Sequence, residues 1–204
     1  MQLYYSPYSP YVRKVLVCAE ELGVPIERLD SAAHPISRDQ TIVSDNPLGQ
    51  VPTLLAPDGS ALHDSRVICE YLNDLAGGTL FPPASAGRWD RLVEQSLADG
   101  LCAAALSMRY EQVVRPAEVR FEPWVEAQHQ KIVSALDKFE HWTPTFADRV
   151  DIGVISIACS LGYLDLRFPE RPWRHRPLLA AWHERFSQRP SMRKTAHPQT
   201  GAPS

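Results

Sequence analysis

Asn46-Pro47-Leu48-Gly49-Gln50-Val51-Pro52-Thr53-Leu54 puts two prolines around a glycine and then runs into apolar residues. Proline has no N–H to give a sheet ladder, so Pro52 belongs at the start of a strand. That strand, predicted over Val51–Leu55, is followed by Ala56-Pro57-Asp58-Gly59 and a second short strand, Ser60–Leu62. The intervening Pro and Gly stand where a tight hairpin wants them. A cis Val51–Pro52 bond would leave the Val51 backbone free to pair with a ligand's own peptide bond, as an added strand does; an ordinary X-Pro turn accounts for the same residues.

Upstream of this stretch, Gln2–Tyr5 reads as a short strand, and Val12, Val15, Leu16, Ala19 and Leu22 recur at helical spacing until Gly23 and Pro25 end the helix. Ile26–Leu29 is a second strand, which makes a βαβ unit with parallel strands and a right-handed crossover. Downstream, Asp64–Leu75 carries Val67, Ile68, Tyr71, Leu72 and Leu75 on one face and stops at Gly77-Gly78. The expected product is a four-stranded mixed sheet with helices. Phe81-Pro82-Pro83-Ala84-Ser85 reads as a linker, and beyond it only helical patterns remain, including the stripe Trp89, Leu92, Val93, Leu97, Leu101, Ala104, Met108. A second helix is expected over about Ala117–Phe139, a third from Asp148 and a fourth after Pro177, together a bundle. The predicted organisation is an α/β domain at 1–78, a linker at 79–84, an all-helical domain at 85–192 and a loose tail at 193–204.

Composition narrows the classes of function. Of 204 residues 44% are hydrophobic and 22% charged, enough to bury a core, and the 18 prolines are roughly twice the usual share. The net charge of −3 offers no basic stripe for a phosphate backbone, so nucleic acid is disfavoured. Residues 1–83 hold 5 basic and 10 acidic side chains, the remainder 16 and 14, so the charge balance changes where the patterning does. No apolar run reaches the ~20 residues of a membrane span, and Met1 leads straight into a strand, so a cytoplasmic location is expected. Cys18, Cys69, Cys102 and Cys159 lie far apart in apolar stretches, and neither they nor the seven histidines show ligand spacing, so no metal is expected.

Two further local features carry chemistry. Ser9-Pro10 places a preferred N-cap before a preferred first helical residue, and the orphan N–H groups behind it suit either a plain cap or a bound thiolate. Asp64-Ser65 opens the later helix; beyond capping, the hydroxyl and N–H suit a carboxylate and the Asp an ammonium, the two ends of an α-amino acid. Ser6 repeats the Ser-Pro pattern three residues before the helix and is the second candidate for the role of Ser9.

Read in order, Ser-Pro-Tyr at the first helix, Asn46-Pro-Leu-Gly-Gln-Val-Pro-Thr-Leu before the hairpin and Asp64-Ser-Arg-Val-Ile-Cys-Glu-Tyr-Leu at the third helix resemble the cytosolic glutathione S-transferases, over nearly the whole chain. Ala98-Asp-Gly and Arg109-Tyr-Glu look like a bacterial subgroup. The resemblance implies a thioredoxin-like N-terminal domain, a helical C-terminal domain, a homodimer and glutathione as substrate, with detoxification by conjugation, and with peroxide reduction as a further activity. Ser9 matches the serine that hydrogen-bonds the glutathione sulfur in the Ser-type classes. Val51, before Pro52, matches the residue whose backbone pairs with the cysteinyl peptide, Gln50 falls near the ligand backbone or glycyl end, and Asp64 and Ser65 match the holders of the γ-glutamyl head. Asp148 and Asp151 match the box that caps the central helix of the second domain, with Asp148 at the cap. Tyr8, Tyr11, Met108 and Tyr110 are expected either to line the pocket for an apolar electrophile or to pack the interface between the domains, and Asp99 either to reach the glutathione ammonium across a dimer or to pair helices. A glutathione-binding or interaction module without catalysis is the alternative on the same fold.

Overall fold

The structure of the protein, a computed structural model, describes residues 1–198. Strand β1 (Gln2–Tyr5) leads through helix α1 (Pro10–Leu22) to strand β2 (Glu27–Asp30), and the two strands run parallel with Gln2 opposite Glu27 and Tyr5 opposite Asp30. A one-turn helix, α2 (Gln40–Val43), follows, capped by Asp39, whose carboxylate accepts from Thr41 N–H. It is too short to leave a helical period in the sequence. Strands β3 (Thr53–Leu55) and β4 (Ala61–Leu62) form the hairpin, β3 antiparallel to β1, and the sheet order is β2-β1-β3-β4. Helix α3 (Ser65–Ala76), closed by Gly77 in the left-handed region, completes the thioredoxin-like unit.

The second half is helical, as expected: α4 (Arg88–Val113), α5 (Glu122–Trp142), α6 (Ile152–Arg167), α7 (Pro177–Phe186) and α8 (Pro190–Lys194). Three details differ from the sequence reading. α5 begins at Glu122, because Ala117–Val119 forms a 3-10 turn and Arg120 is extended. α6 is capped by Asp151 and not Asp148: the Asp151 carboxylate accepts from Gly153 N–H at 3.0 Å and Val154 N–H at 3.2 Å, while Asp148 is exposed. Arg193 to His197, expected to be loose, are not: α8 includes Arg193 and Lys194, and the next residues are tied down. Lys194 Nζ lies 2.8 Å from the Glu20 carboxylate, and His197 Nδ1 lies 2.8 Å from the Pro7 carbonyl. The rest of that stretch, 199–204, lies outside the described residues.

Helix α6 is the axis on which the halves meet. Its residues from Ile152 to Leu161 are all buried, and the core runs unbroken from Leu3, Val15 and Leu72 to Leu101, Ile155 and Trp182. Small residues let neighbours approach: a Cβ at Gly153 would collide with the Glu94 carboxylate, and one at Gly162 with the Arg13 guanidinium. The buried hydroxyls of Ser156 and Ser160 donate to the carbonyls of Ile152 and Ile157 at 2.7 and 2.8 Å, so they carry no unmet polarity into the core.

One charge crosses the junction between the halves. Lys14 of α1, 1% exposed, places Nζ 2.7 and 2.9 Å from the two carboxylate oxygens of Asp99 of α4. Burial pushes the Lys14 ammonium toward losing its proton, but the field of Asp99 and the hydrogen bond outweigh it, and its pKa is raised. One turn earlier, the Tyr11 hydroxyl donates to the Asp99 carbonyl at 3.1 Å. Of the two roles anticipated for Asp99, the structure shows helix pairing.

Two predictions follow from burial. Asp99→Asn strips Lys14 of its counter-charge and is expected to cost about 3 kcal/mol, whereas Lys14→Met with Asp99→Leu removes both charges and recovers most of the loss. Denaturant unfolding of the two variants checks this, and equal losses would show that charge pairing is not the decisive factor. His183, its Nε2 3.3 Å from the Ala158 carbonyl, and His197 are both held neutral, chiefly by burial, with pKa values of about 4 against 6.5. The unfolded chain therefore binds more protons than the folded one in that window: this stability is complete above about pH 6.5 and falls toward pH 4, by up to about 1.4 kcal/mol per pH unit for each ring. Thermal unfolding across the window should show the slope, and His183→Gln should flatten it.

Candidate active site

Strand directions alone gather the three motifs. β1 ends at Tyr5, β3 begins at Thr53 opposite Tyr4, and β4, antiparallel to β3, ends at Leu62 opposite Leu54. The segment after β1, the segment before β3 and the segment after β4 therefore emerge at one end of the sheet. They carry Ser6 to Ser9, Gln50 to Pro52, and Asp64 with Ser65.

Ser9 is the N-cap of α1, with φ −83° and ψ 123°. Its Oγ accepts from Val12 N–H at 3.2 Å, which occupies a lone pair and leaves the hydroxyl proton free to donate. Ser6 sits at the other end of the turn, its carbonyl accepting from Ser9 N–H at 3.2 Å. Thus Ser9, not Ser6, stands at the positive end of the helix.

The Val51–Pro52 bond is cis. Among the described residues the Val51 N–H and carbonyl make no hydrogen bond, since the ladder begins only at Thr53. Asn46, 2% exposed, shapes this stretch from within. Its amide donates to the Gln50 carbonyl at 3.2 Å and to Thr53 Oγ1 at 2.9 Å, and its Oδ1 accepts from Leu48 N–H at 3.1 Å. Gly49 takes φ +62° against Val43, a position a side chain could not share. The Gln50 side chain is exposed.

Asp64 caps α3, accepting from Arg66 N–H at 2.8 Å, and pairs with the Arg66 guanidinium at 2.9 Å. Partial burial opposes its ionisation, but the Arg66 bonds and the charge of Lys14 outweigh that and hold its pKa below the usual carboxylate value. Ser65 is 2% exposed, and its hydroxyl has no partner among the described residues. An anion acceptor, a free hydroxyl and an unpaired backbone edge thus share one rim with the start of α1.

Met108 is fully buried and lines a cavity of about 210 Å³ with Ile132, Leu136, Leu164 and Phe168 in the helical half. Tyr11 spends its hydroxyl on Asp99, and burial raises its pKa, so it is no thiolate activator. Tyr8 stands near the junction, with the Arg167 guanidinium 4.8 Å from its ring centre, while burial raises the Tyr110 pKa against the opposing charges of Arg109 and Arg167. Nothing in the sequence marks Arg167, because Tyr8 comes from the segment between β1 and α1.

All four cysteines are free and buried. Burial raises Cys102 and lifts Cys159 to about 11, as small core residues. Among the described residues no three His, Cys, Asp or Glu side chains are placed to hold a metal ion, and no helix is long and apolar enough to cross a membrane.

Known proteins share this arrangement. Residues 8–75 match the model of the glutathione S-transferase N-terminal domain, and residues 122–185 that of the glutathione S-transferase C-terminal domain. The uncharacterized GST-like protein YibF of Escherichia coli K12 is 32% identical, with 98% of this chain and 100% of that one covered. A glutathione transferase family member from Pseudomonas fluorescens Pf-5 with bound glutathione superposes with a TM-score of 0.94 at 42% identity, over 97% of this chain and 98% of that one. Another structure from that organism, with bound S-(propanoic acid)-glutathione, gives 0.90 at 40% identity over 97% and 99%.

Proposed function

Since the chain belongs to the glutathione S-transferase family, we propose that it is a Ser-type glutathione transferase that binds glutathione along residues 1–78 and adds its thiolate to an electrophile held against the helical domain, 85–192. The observation that carries this reading is the state of Ser9: its oxygen is engaged by Val12 N–H, so its proton remains available to a sulfur anion at the start of α1.

The magnitudes suffice. A thiol of pKa near 8.5 is only a few per cent ionised at pH 7, and lowering it by about two units requires roughly 2.7 kcal/mol of preference for the thiolate. A hydrogen bond to a charged partner supplies ~1.5–3 kcal/mol, and the helix start another ~0.3–1. Ser9 acts as a stabiliser of the bound anion and forms no covalent bond. The free N–H and carbonyl of Val51 pair with the cysteinyl peptide as a short added strand, with Pro52 fixing the strand start. Asp64 takes the ammonium of the γ-glutamyl head and Ser65 its carboxylate, while Gln50 lies toward the glycyl end. A dimer is supported by apolar side chains left exposed on α3 and α4, Val67, Leu75, Trp89 and Val93. A cytoplasmic location suits a substrate that must stay reduced.

Ser9→Ala is expected to raise the pKa of bound glutathione by about one to two units while its dissociation constant changes less than about threefold, because the peptide and γ-glutamyl contacts remain. Ultraviolet titration of the bound thiolate and calorimetry measure the two separately. An unchanged titration in Ser9→Ala with a shifted one in Ser6→Ala would move the role to Ser6.

A further inference from the structure

Ser9 belongs both to helix α1 and to the turn in front of it. The helix holds it from behind, through Val12 N–H on its Oγ and Arg13 N–H on its carbonyl at 3.1 Å. In front, Ser6-Pro7-Tyr8-Ser9 forms a turn closed by Ser9 N–H on the Ser6 carbonyl at 3.2 Å, the long end of the range for such a bond. Pro7 fixes one φ of that turn but has no N–H with which to tie it down. Its carbonyl is instead taken by a residue 190 positions away: His197 Nδ1 lies 2.8 Å from it. A carbonyl only accepts, so Nδ1 carries the proton and donates, and burial keeps the ring neutral.

The chain end reaches Pro7 by running back along α1. In the last turn of that helix, the Glu21 and Glu20 carboxylates bind Arg189 and Lys194 at 2.8 Å. Nearer its start, the Arg13 guanidinium donates to the Met192 carbonyl at 3.3 Å. The buried Thr195 hydroxyl donates to the Ser191 carbonyl at 2.8 Å, which holds the segment just before His197. The next residue of the turn, Tyr8, is gripped from the end of α6 by the Arg167 guanidinium, 4.8 Å from its ring centre. Both central residues of the turn that precedes Ser9 are thus held by the helical half.

We infer that His197 is a positioning residue for the reaction: by holding the Pro7 carbonyl it fixes the turn from which Ser9 aims its hydroxyl at the glutathione sulfur. This rests on the transferase reading and names what sets the geometry of its central contact. A single hydrogen bond to an anion weakens steeply as the donor leaves alignment, so a supporting group remote from the chemistry controls how much thiolate forms. His197 acts through Ser9 and exchanges no proton with the sulfur. Glutathione affinity, which draws on Val51, Asp64 and Ser65, does not depend on it.

The test titrates the bound thiol by its ultraviolet absorbance in the full-length protein, with calorimetry for glutathione affinity. His197→Leu, which has no donor, should raise the pKa of bound glutathione by about 0.5–1 unit while its dissociation constant changes less than about twofold. His197→Ala carries the same expectation without the added bulk. His197→Asn should restore the original titration, because its amide nitrogen, like Nδ1, hangs on the γ-carbon and donates to Pro7. With Ser9 already replaced by Ala, His197→Leu should add nothing, since the two residues act on one contact. An unchanged titration in both His197→Leu and His197→Ala, or a shift that persists without the Ser9 hydroxyl or in His197→Asn, overturns the inference and leaves the transferase reading standing. A bound thiol that titrates like free glutathione, unmoved by Ser9→Ala, would instead overturn the transferase reading, and this inference with it.

Discussion

A lysine buried to 1% exposure with its ammonium on Asp99 is the contact on which the arrangement at the site depends. α1 has two tasks that conflict. The residue that caps it, Ser9, keeps its hydroxyl proton free, yet the body of the helix must be buried between α3 and α6 to complete both cores. Apolar packing alone is non-directional and would tolerate small rotations of such a helix. The Lys14 ammonium, which can be stable there only against Asp99, removes that freedom, and the Tyr11 hydroxyl on the Asp99 carbonyl removes it a turn earlier. Ser9 is thereby aimed by contacts well inside the molecule.

Charges are matched unevenly along α4 and α6. Where α4 and α6 start, Arg149 joins the Glu94 and Asp151 carboxylates at 2.6 and 2.9 Å, and the charges are matched around the cap of α6. Toward the other ends of those helices, Arg109 and Arg167 have no carboxylate partner among the described residues. The hydroxyl of Ser9 is divided as well, its lone pair given to the helix and its proton left over.

Much of this was legible from the chain. The Ser9-Pro10 start of α1, the Pro52 start of β3, the Pro57-Asp58-Gly59 turn and the Asp64 start of α3 all appear in the structure, because caps and turns are set by groups a few residues apart. The errors have equally definite causes. Asp148 and Asp151 are both able caps, and only Arg149 reaching Glu94 selects the second. Met108 fits a helical stripe from either side, and only its burial beside Ile132 of α5 and Leu164 of α6 assigns it to the core. The residues after Met192 lack periodicity, yet His197 is held by Pro7 from the opposite end of the sequence.

By itself the sequence determined the order of elements, the division into a mixed sheet and a helical bundle, and the three motifs at their element starts, because periodicity and capping are local properties. Only the tertiary structure decided that the three motifs meet at one end of the sheet, that Lys14 meets Asp99, that Met108 is core, and that the Arg167 guanidinium stacks on the Tyr8 ring. Whether a charge is matched depends on which distant side chains surround it, and that is settled by packing, not by spacing along the chain.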